Sequence, residues 1–166
     1  MIRKIEDFER AWQYEAEATV KLLQNLTDES LGQKVNENGR TLGFLAWHLV
    51  TTMNEMLGQV GLEIDAPNPE SAVPTDARQI VSAFETAAVS VKKEVSANWT
   101  EETLLQEDEM YGETWKRGMT LFYLMLHQAH HRGQITVLMR QANLKVSGIY
   151  GPAKEEWEVM GMAAMQ

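Results

Sequence analysis

The stretch LHQAHHRGQ, residues Leu126–Gln134, carries three of the four histidines in the chain. His127 and His131 are four residues apart, so on a helix they lie one above the other on one face, where both imidazoles can reach one ion. This spacing predicts half of a divalent-metal site. The remaining histidine, His48, belongs to a separate apolar run, LGFLAWHLV (Leu42–Val50). We interpret the chain as a scaffold that brings two histidine-bearing helices together.

The ligand set stays open on spacing alone, because His130 is three residues from His127 and can also lie near an ion. A lone buried histidine is commonly a hydrogen-bonded core residue, and this is the alternative interpretation of His48. Two adjacent imidazoles on an apolar face, however, must each find a partner or destabilise the core. Three protein ligands with an open position are typical of catalytic metal sites, whereas structural zinc sites are usually closed by four.

Three further side chains are candidates for catalytic or substrate-orienting roles. Tyr123 and Gln134 lie about one helical turn before and after the histidines, where each could support a ligand or orient a substrate. Ordinary polarity near a bundle end is the alternative for both. Glu55, two turns beyond His48 on one predicted face, could be a fourth ligand, a base or a solvated side chain. Since three histidines leave a coordination position free, we expect a pocket lined by these candidates to open from the ion to solvent.

Composition limits the class of protein. The chain has 166 residues, 44% of them hydrophobic, which suits a single domain spanning residues 1–166 with a sizeable core. Its net charge of −9, with scattered lysines and arginines, argues against direct binding to nucleic acid. The absence of cysteine excludes disulfides, cysteine-zinc sites and a cysteine nucleophile. The sequence has no apolar run typical of a signal peptide or membrane helix, so we expect a cytoplasmic protein.

The periodicity of apolar residues predicts four amphipathic helices without strand-like alternation. The predicted helices cover residues 5–26, 41–58, 75–99 and 114–143. A segment with three prolines, residues 61–75, predicts a long crossover that allows the second and third helices to run parallel. Residues 100–111 are acidic and aperiodic, which leaves a short hairpin and an ordered loop as alternatives. Pro152 can open a short terminal helix with Trp157 and Met160 as its apolar side.

These features resemble the DinB/YfiT-like superfamily of bacterial metal-binding four-helix bundles. The resemblance rests on three segments: LAWHL (Leu45–Leu49), HQAHHRGQ (His127–Gln134) and GIYGP (Gly148–Pro152). Helix lengths and the long second crossover also agree, so the resemblance covers nearly the whole chain. It implies an all-α, up-down-down-up bundle, often dimeric, with a three-histidine site for nickel or zinc.

The ligands implied by the resemblance are His48, His127 and His131, with His130 outside the coordination shell. Relatives with assigned activities include an isomerase and metal-dependent transferases that use low-molecular-weight thiols. We therefore expect metal-dependent chemistry on a small-molecule electrophile, either thiol S-transferase-like or hydrolase-like. The transferase-like reaction would also need a low-molecular-weight thiol as a second cofactor. The alternative is a non-catalytic stress-response bundle that binds a metal or a small ligand.

Overall fold

The computed structural model describes residues 1–163 and consists mainly of four long helices. The helices are α1 (Ile5–Leu23), α2 (Leu42–Gly58), α3 (Ala77–Asn98) and α4 (Arg117–Gln141). Short 3-10 turns lie at Asp28–Gly32 and Thr103–Leu105. The prediction of an all-α four-helix bundle is confirmed, although α1 ends before the predicted Leu26.

Contacts at the helix ends establish the helix directions. The Asp28 carboxylate, just after α1, accepts a hydrogen bond from the Ala77 amide at the start of α3, at 2.8 Å. Gly43, at the start of α2, lies against Leu31 in the same 3-10 turn as Asp28. Because α2 and α3 both begin where α1 ends, they run parallel to each other and antiparallel to α1.

The fourth helix begins at the opposite end of the bundle, beside the start of α1. There the Ile2 amide donates a hydrogen bond to the Gly118 carbonyl at 2.9 Å. The four helices therefore run up-down-down-up, as predicted. The crossover between α2 and α3 is tied to α3 by the Asp65 amide, which donates to the Ser90 hydroxyl at 2.9 Å. This connection leaves α2 free to pack against α4.

The apolar faces of the helices meet in one core. On α3 the predicted stripe is buried and consists of Ile80, Phe84, Ala87, Ala88, Val91 and Val95. The Trp12 indole on α1 donates to the Ala88 carbonyl at 2.9 Å. Burying one side chain of the size of Phe84 stabilises the fold by roughly 1.5–3 kcal/mol, so this stripe fixes α1 against α3. Among the described residues, no helix combines the length and apolar character needed to cross a membrane.

A hairpin precedes α4 and decides between the two alternatives for residues 100–111. Strand β1 (Glu107–Met110) pairs antiparallel with β2 (Glu113–Lys116). Thr114 belongs to β2, so α4 begins at Arg117, later than predicted. Tyr111 and Gly112 at the turn both have positive φ, 55° and 81°, which is the pattern of a type I′ turn. For a bulky residue such as Tyr111 this conformation costs about 1–3 kcal/mol.

The segment after α4 differs from the prediction in one respect. The terminal helix, α5, spans Lys154–Trp157, and its residues are not buried. Met160 lies beyond α5 and is 56% exposed, so the predicted apolar side of Trp157 and Met160 does not form. Polar contacts organise this segment instead, since the Glu156 carboxylate accepts hydrogen bonds from the Gly148 and Ala153 amides at 3.1 and 3.0 Å.

Candidate metal centre

Helices α2 and α4 place the histidines opposite one another. The Gln128 side chain is buried, and its amide nitrogen donates to the Leu49 carbonyl of α2 at 2.9 Å. Since Leu49 follows His48 and Gln128 follows His127, this bond brings the two histidines to the same level. The Thr41 hydroxyl accepts a hydrogen bond from the Phe44 amide at 3.0 Å and fixes where α2 begins.

Ring nitrogens of His48, His127 and His131 converge on one point. His127 Nε2 lies 3.2 Å from His48 Nε2 and 3.1 Å from His131 Nε2. Each ring offers one ligand atom, and these three atoms lie within 4.8 Å of one another. Nitrogens bound to one tetrahedral ion at about 2.0–2.1 Å would lie roughly 3.3 Å apart. The two separations that involve His127 therefore match those of ligands on one ion.

The outer nitrogens of two rings are engaged by neighbouring side chains. His131 Nδ1 lies 2.7 Å from Gln134 Oε1, and Gln134 Nε2 lies 3.1 Å from His130 Nε2. Because an amide oxygen only accepts, His131 Nδ1 carries the proton and its Nε2 carries a lone pair. His48 Nδ1 lies 3.4 Å from the Thr52 hydroxyl, which itself donates to the His48 carbonyl. Both rings therefore turn an unprotonated Nε2 inward.

His127 Nε2 lies between these two lone pairs. One proton on this nitrogen can bridge to only one neighbour, so at least one close nitrogen pair has no proton between its members. The other ring nitrogen of His127, Nδ1, is buried and has no hydrogen-bond partner among residues 1–163. A cation bound by all three Nε2 atoms would remove the repulsion, and imidazole ligands suit zinc, copper, iron and nickel. The three histidines could therefore hold a metal ion.

Burial also keeps these histidines uncharged. It lowers the pKa of His48 to about 4, with smaller contributions from the charges of His131 and Arg40. It likewise lowers the pKa of His127 to about 4, with His131 and His48 adding to the effect. The pKa of His131 is lowered chiefly by burial, against the opposing hydrogen bond to Gln134. At neutral pH all three rings are in the form that binds metals.

A pocket of about 480 Å³ opens beside the cluster, between α2, α4 and the hairpin. Its lining residues are Thr52, Glu55, Met56, Tyr111, Trp115, Tyr123, Leu126, His127 and His130. Two of the three candidates from the sequence, Tyr123 and Glu55, thus lie in this pocket. The third, Gln134, is bonded to His131 and lines a separate cavity together with Arg40. Glu55 is not part of the cluster of ligand atoms.

The sequence did not identify the hairpin side of this pocket. Tyr111 donates a hydrogen bond to Glu55 Oε1 at 3.0 Å, and the Trp115 ring lies 4.7 Å from the Tyr123 ring between centroids. The acidic segment before the turn has no periodicity, so no pattern predicted which of its side chains face the bundle. The only available signal was two aromatic residues close to a glycine.

Another face of the histidine stretch carries a buried polar network that the sequence also did not reveal. Arg132 is 1% exposed. Its guanidinium pairs with the Glu15 carboxylate and donates to the Thr19 hydroxyl at 2.8 Å and the Tyr150 hydroxyl at 2.5 Å. The Glu15 carbonyl accepts a further hydrogen bond from it at 2.9 Å. The network ties α4 to α1 and to the segment that follows α4.

Comparison with known proteins agrees with this architecture. Residues 1–164 match the family model of the DinB family. The chain is 42% identical over 164 residues to YrdA of Bacillus subtilis strain 168, a protein described as uncharacterized, and the match covers 99% of this chain and 98% of YrdA.

Solved structures of similar proteins lead to the same family. A DinB-like protein from Bacillus cereus ATCC 10987 has a TM-score of 0.87 and 39% identity, covering 90% of this chain and all of that chain. The DinB-like protein YjoA from Bacillus subtilis has a TM-score of 0.68 and 18% identity, covering 88% of this chain and 98% of YjoA, and supports the fold alone. The family match and the B. subtilis and B. cereus relatives together establish that the chain belongs to the DinB family.

Proposed function

We propose that this chain binds a zinc or nickel ion through His48, His127 and His131 and is a metal-dependent enzyme. The reaction is thiol S-transferase-like or hydrolase-like chemistry on a small electrophile. The observation that carries the proposal is the convergence of three Nε2 atoms around His127, which also lines a solvent-open pocket. When bound there, the ion supplies Lewis acidity that lowers the pKa of a thiol or of water.

The residues around the histidines supply orientation and binding. Gln134 and Thr52 hold the outer nitrogens of His131 and His48, which keeps their inner nitrogens free for coordination. Tyr123, which is 38% exposed on the pocket wall, is placed to donate a hydrogen bond to a substrate. Because the chain has no cysteine, a low-molecular-weight thiol would have to enter as a separate cofactor.

A non-catalytic protein that binds a metal or small ligand in a stress response is the second candidate. Glu55 favours this second candidate. It is the only carboxylate among the described pocket-lining residues, and one of its oxygens accepts a hydrogen bond from Tyr111. A carboxylate engaged in this way is less available as a general base than a free one.

Metal analysis of protein purified without a histidine tag tests the binding. We expect stoichiometric zinc or nickel in the parent and in His130→Ala, and its loss in His127→Ala. Conjugation of monochlorobimane with a panel of cellular thiols then tests the chemistry. Turnover that requires the metal supports the transferase-like reaction. A metal-loaded protein that turns over neither thiols nor hydrolysable esters supports the non-catalytic function.

We also propose that the protein is a cytoplasmic homodimer, as the family resemblance implies. A groove of about 730 Å³ between α1 and α3 supports self-association, because its floor is apolar and Val89 on its edge is 69% exposed. The apolar residues of the groove are Trp12, Ala16, Val20, Ala88 and Val89. Light scattering during gel filtration should show a dimer for the parent and a monomer for Val89→Glu.

A further inference from the structure

The pocket beside the histidine cluster has an aromatic wall. The Trp115 ring lies between two tyrosine rings, with centroid distances of 5.6 Å to Tyr111 and 4.7 Å to Tyr123. The planes are tilted by 54° and 52°, so the three rings do not form a flat stack. Tyr111 is 54% exposed and Tyr123 is 38% exposed, which leaves the wall open to a ligand from solvent.

The polar edges of two of these rings are bonded to carboxylates. The Tyr111 hydroxyl donates to Glu55 Oε1 at 3.0 Å, and the Trp115 indole N–H donates to Glu113 Oε2 at 2.8 Å. Burial raises the pKa of Tyr111 to about 12, and the hydrogen bond to Glu55 adds to the effect, so the phenol keeps its proton at neutral pH. With their donors engaged, the rings offer a ligand mainly their faces, which carry the negative part of the ring quadrupole.

The charges around the pocket favour a cationic ligand on this wall. Among its described lining residues there is one carboxylate, Glu55, and neither a lysine nor an arginine. The chain as a whole carries a net charge of −9. An anionic group would find no lysine or arginine on this wall, whereas a cation would find ring faces and a carboxylate together.

The backbone at Tyr111 shows that its side chain is held in the pocket against a local preference. Its φ of 55° lies in the left-handed region, and the neighbouring Gly112 has φ of 81°. Positions of this kind in tight hairpin turns usually carry Asn, Asp or Gly. Strained residues of this kind cluster at ligand-binding and active sites, where the side chain has a task that the turn itself does not require.

From these observations we propose that the pocket binds an organic cation, an alkylammonium or quaternary ammonium group, against Tyr111, Trp115 and Tyr123, with Glu55 as its counter-ion. A ligand seated on these rings would extend toward His127 on the same pocket wall, so its identification as the substrate rests on the proposed function. Binding of the cation itself requires neither a metal nor turnover.

Choline and its neutral isostere 3,3-dimethyl-1-butanol are the probes. The full chain is labelled with 5-fluorotryptophan, and the Trp115 resonance is assigned by its absence in Trp115→Phe. We expect millimolar choline to shift this resonance in metal-free and metal-loaded protein. Choline should also bind about ten-fold more tightly than the isostere, because the two molecules differ in charge. Calorimetry should show about ten-fold weaker choline binding to Trp115→Leu.

Matched variants separate the ring faces from the fold. Trp157→Leu removes a tryptophan that does not line the pocket and should bind choline like the parent. Tyr123→Leu provides a second test of the wall if Trp115→Leu loses its helical circular dichroism spectrum. Glu55→Gln should weaken choline binding without changing affinity for the neutral isostere.

Equal affinity for choline and its isostere, or parent-like choline binding by both folded wall variants, overturns the inference. Failure of choline to move the Trp115 resonance also overturns it. The proposed function is tested by a different measurement, the metal content of the parent and of His127→Ala. A parent protein that binds choline without holding metal would refute the metal-dependent reaction alone.

Discussion

The two faces of the Leu126–Gln134 stretch both bury polar groups, but they satisfy them differently. On one face, every neighbour of the Arg132 guanidinium accepts a hydrogen bond from it or pairs with its charge. On the other face, the nitrogens of three histidines point at each other across 3.1 and 3.2 Å. Among the described residues, the first arrangement pairs both terminal nitrogens of the guanidinium and leaves only its Nε without a hydrogen-bond partner. The second leaves two nitrogen lone pairs facing His127 Nε2, an arrangement that a bound cation would complete. This difference separates a structural polar cluster from a candidate binding site.

Breaking the Arg132 network should have the largest effect on stability. Replacing Arg132 with Met leaves the Glu15 carboxylate, which is 14% exposed, without its partner. We expect the free energy of unfolding to fall by about 3–5 kcal/mol, the usual cost of breaking a buried ion pair. Urea denaturation followed by circular dichroism measures this loss.

The comparison also predicts a rescue. The double variant Arg132→Met with Glu15→Gln should recover part of the lost stability, because it no longer leaves a buried charge unpaired. A single variant as stable as the parent would mean that the network is dispensable. Metal content at saturating zinc should remain that of the parent in both proteins, since neither residue belongs to the histidine cluster.

Breaking the open cluster should affect binding far more than folding. His127→Ala removes the nitrogen that lies close to both others, and we expect zinc affinity to fall by more than about 100-fold, beyond what loss of an outer partner costs. The helical signal of the metal-free variant should match that of the metal-free parent. If His48→Ala, His127→Ala and His131→Ala each bind zinc as tightly as the parent, the ligand assignment is wrong.

A smaller effect is expected from the residue that orients a ligand. Gln134→Leu removes the acceptor for His131 Nδ1, and zinc affinity should fall by about 10–100-fold, as measured by competition with a chelator. Gln134→Glu keeps an acceptor at this position and should remain close to the parent. His130→Ala, which loses only the outer member of this chain of hydrogen bonds, should change affinity less than Gln134→Leu.

The smallest predicted effect concerns acid and the metal-free protein. The folded pKa values of His48 and His127 are about 4, below the unfolded value near 6.5. Between these values the unfolded chain binds protons that the folded chain does not, so stability should fall as pH drops from about 6.5 toward about 4. Melting temperatures across this range should fall less steeply in the double variant His48→Ala with His127→Ala. A parent-like slope in that variant would contradict the low pKa values.

The sequence predicted the helices and their order because each has a long apolar period, and it predicted that His48 and the histidine pair face one another. The ends of the helices were less predictable where the backbone pairs with a strand elsewhere in the chain. Thr114 joins a strand since its backbone pairs with Glu109, and that pairing leaves no trace in local periodicity. The apolar side predicted for the terminal helix did not form, because Glu156, and not Trp157 or Met160, anchors this helix.

Contacts between distant segments decided the parts of the site that the sequence did not show. Gln134 was a candidate for the pocket, yet it faces another cavity because His131 and His130 hold its amide. Tyr111 reaches Glu55 only because a strained turn directs it there. From the sequence, Arg132 within the histidine stretch would be predicted to lie on the surface. It is buried because Glu15 and Tyr150 surround its guanidinium.

Because the bond from Gln128 to the Leu49 carbonyl sets how α4 is aligned along α2, metal occupancy at the proposed site would report that alignment. Sliding one helix past the other by a single turn would displace its side chains by about 5.4 Å. That distance exceeds the separation of the histidine nitrogens, so His48 would be lost from the ligand set while both helices stayed fully wound. Zinc release during heating or in core variants would thus detect a longitudinal shift of α4. Far-ultraviolet circular dichroism would not detect this shift, because the helix content does not change.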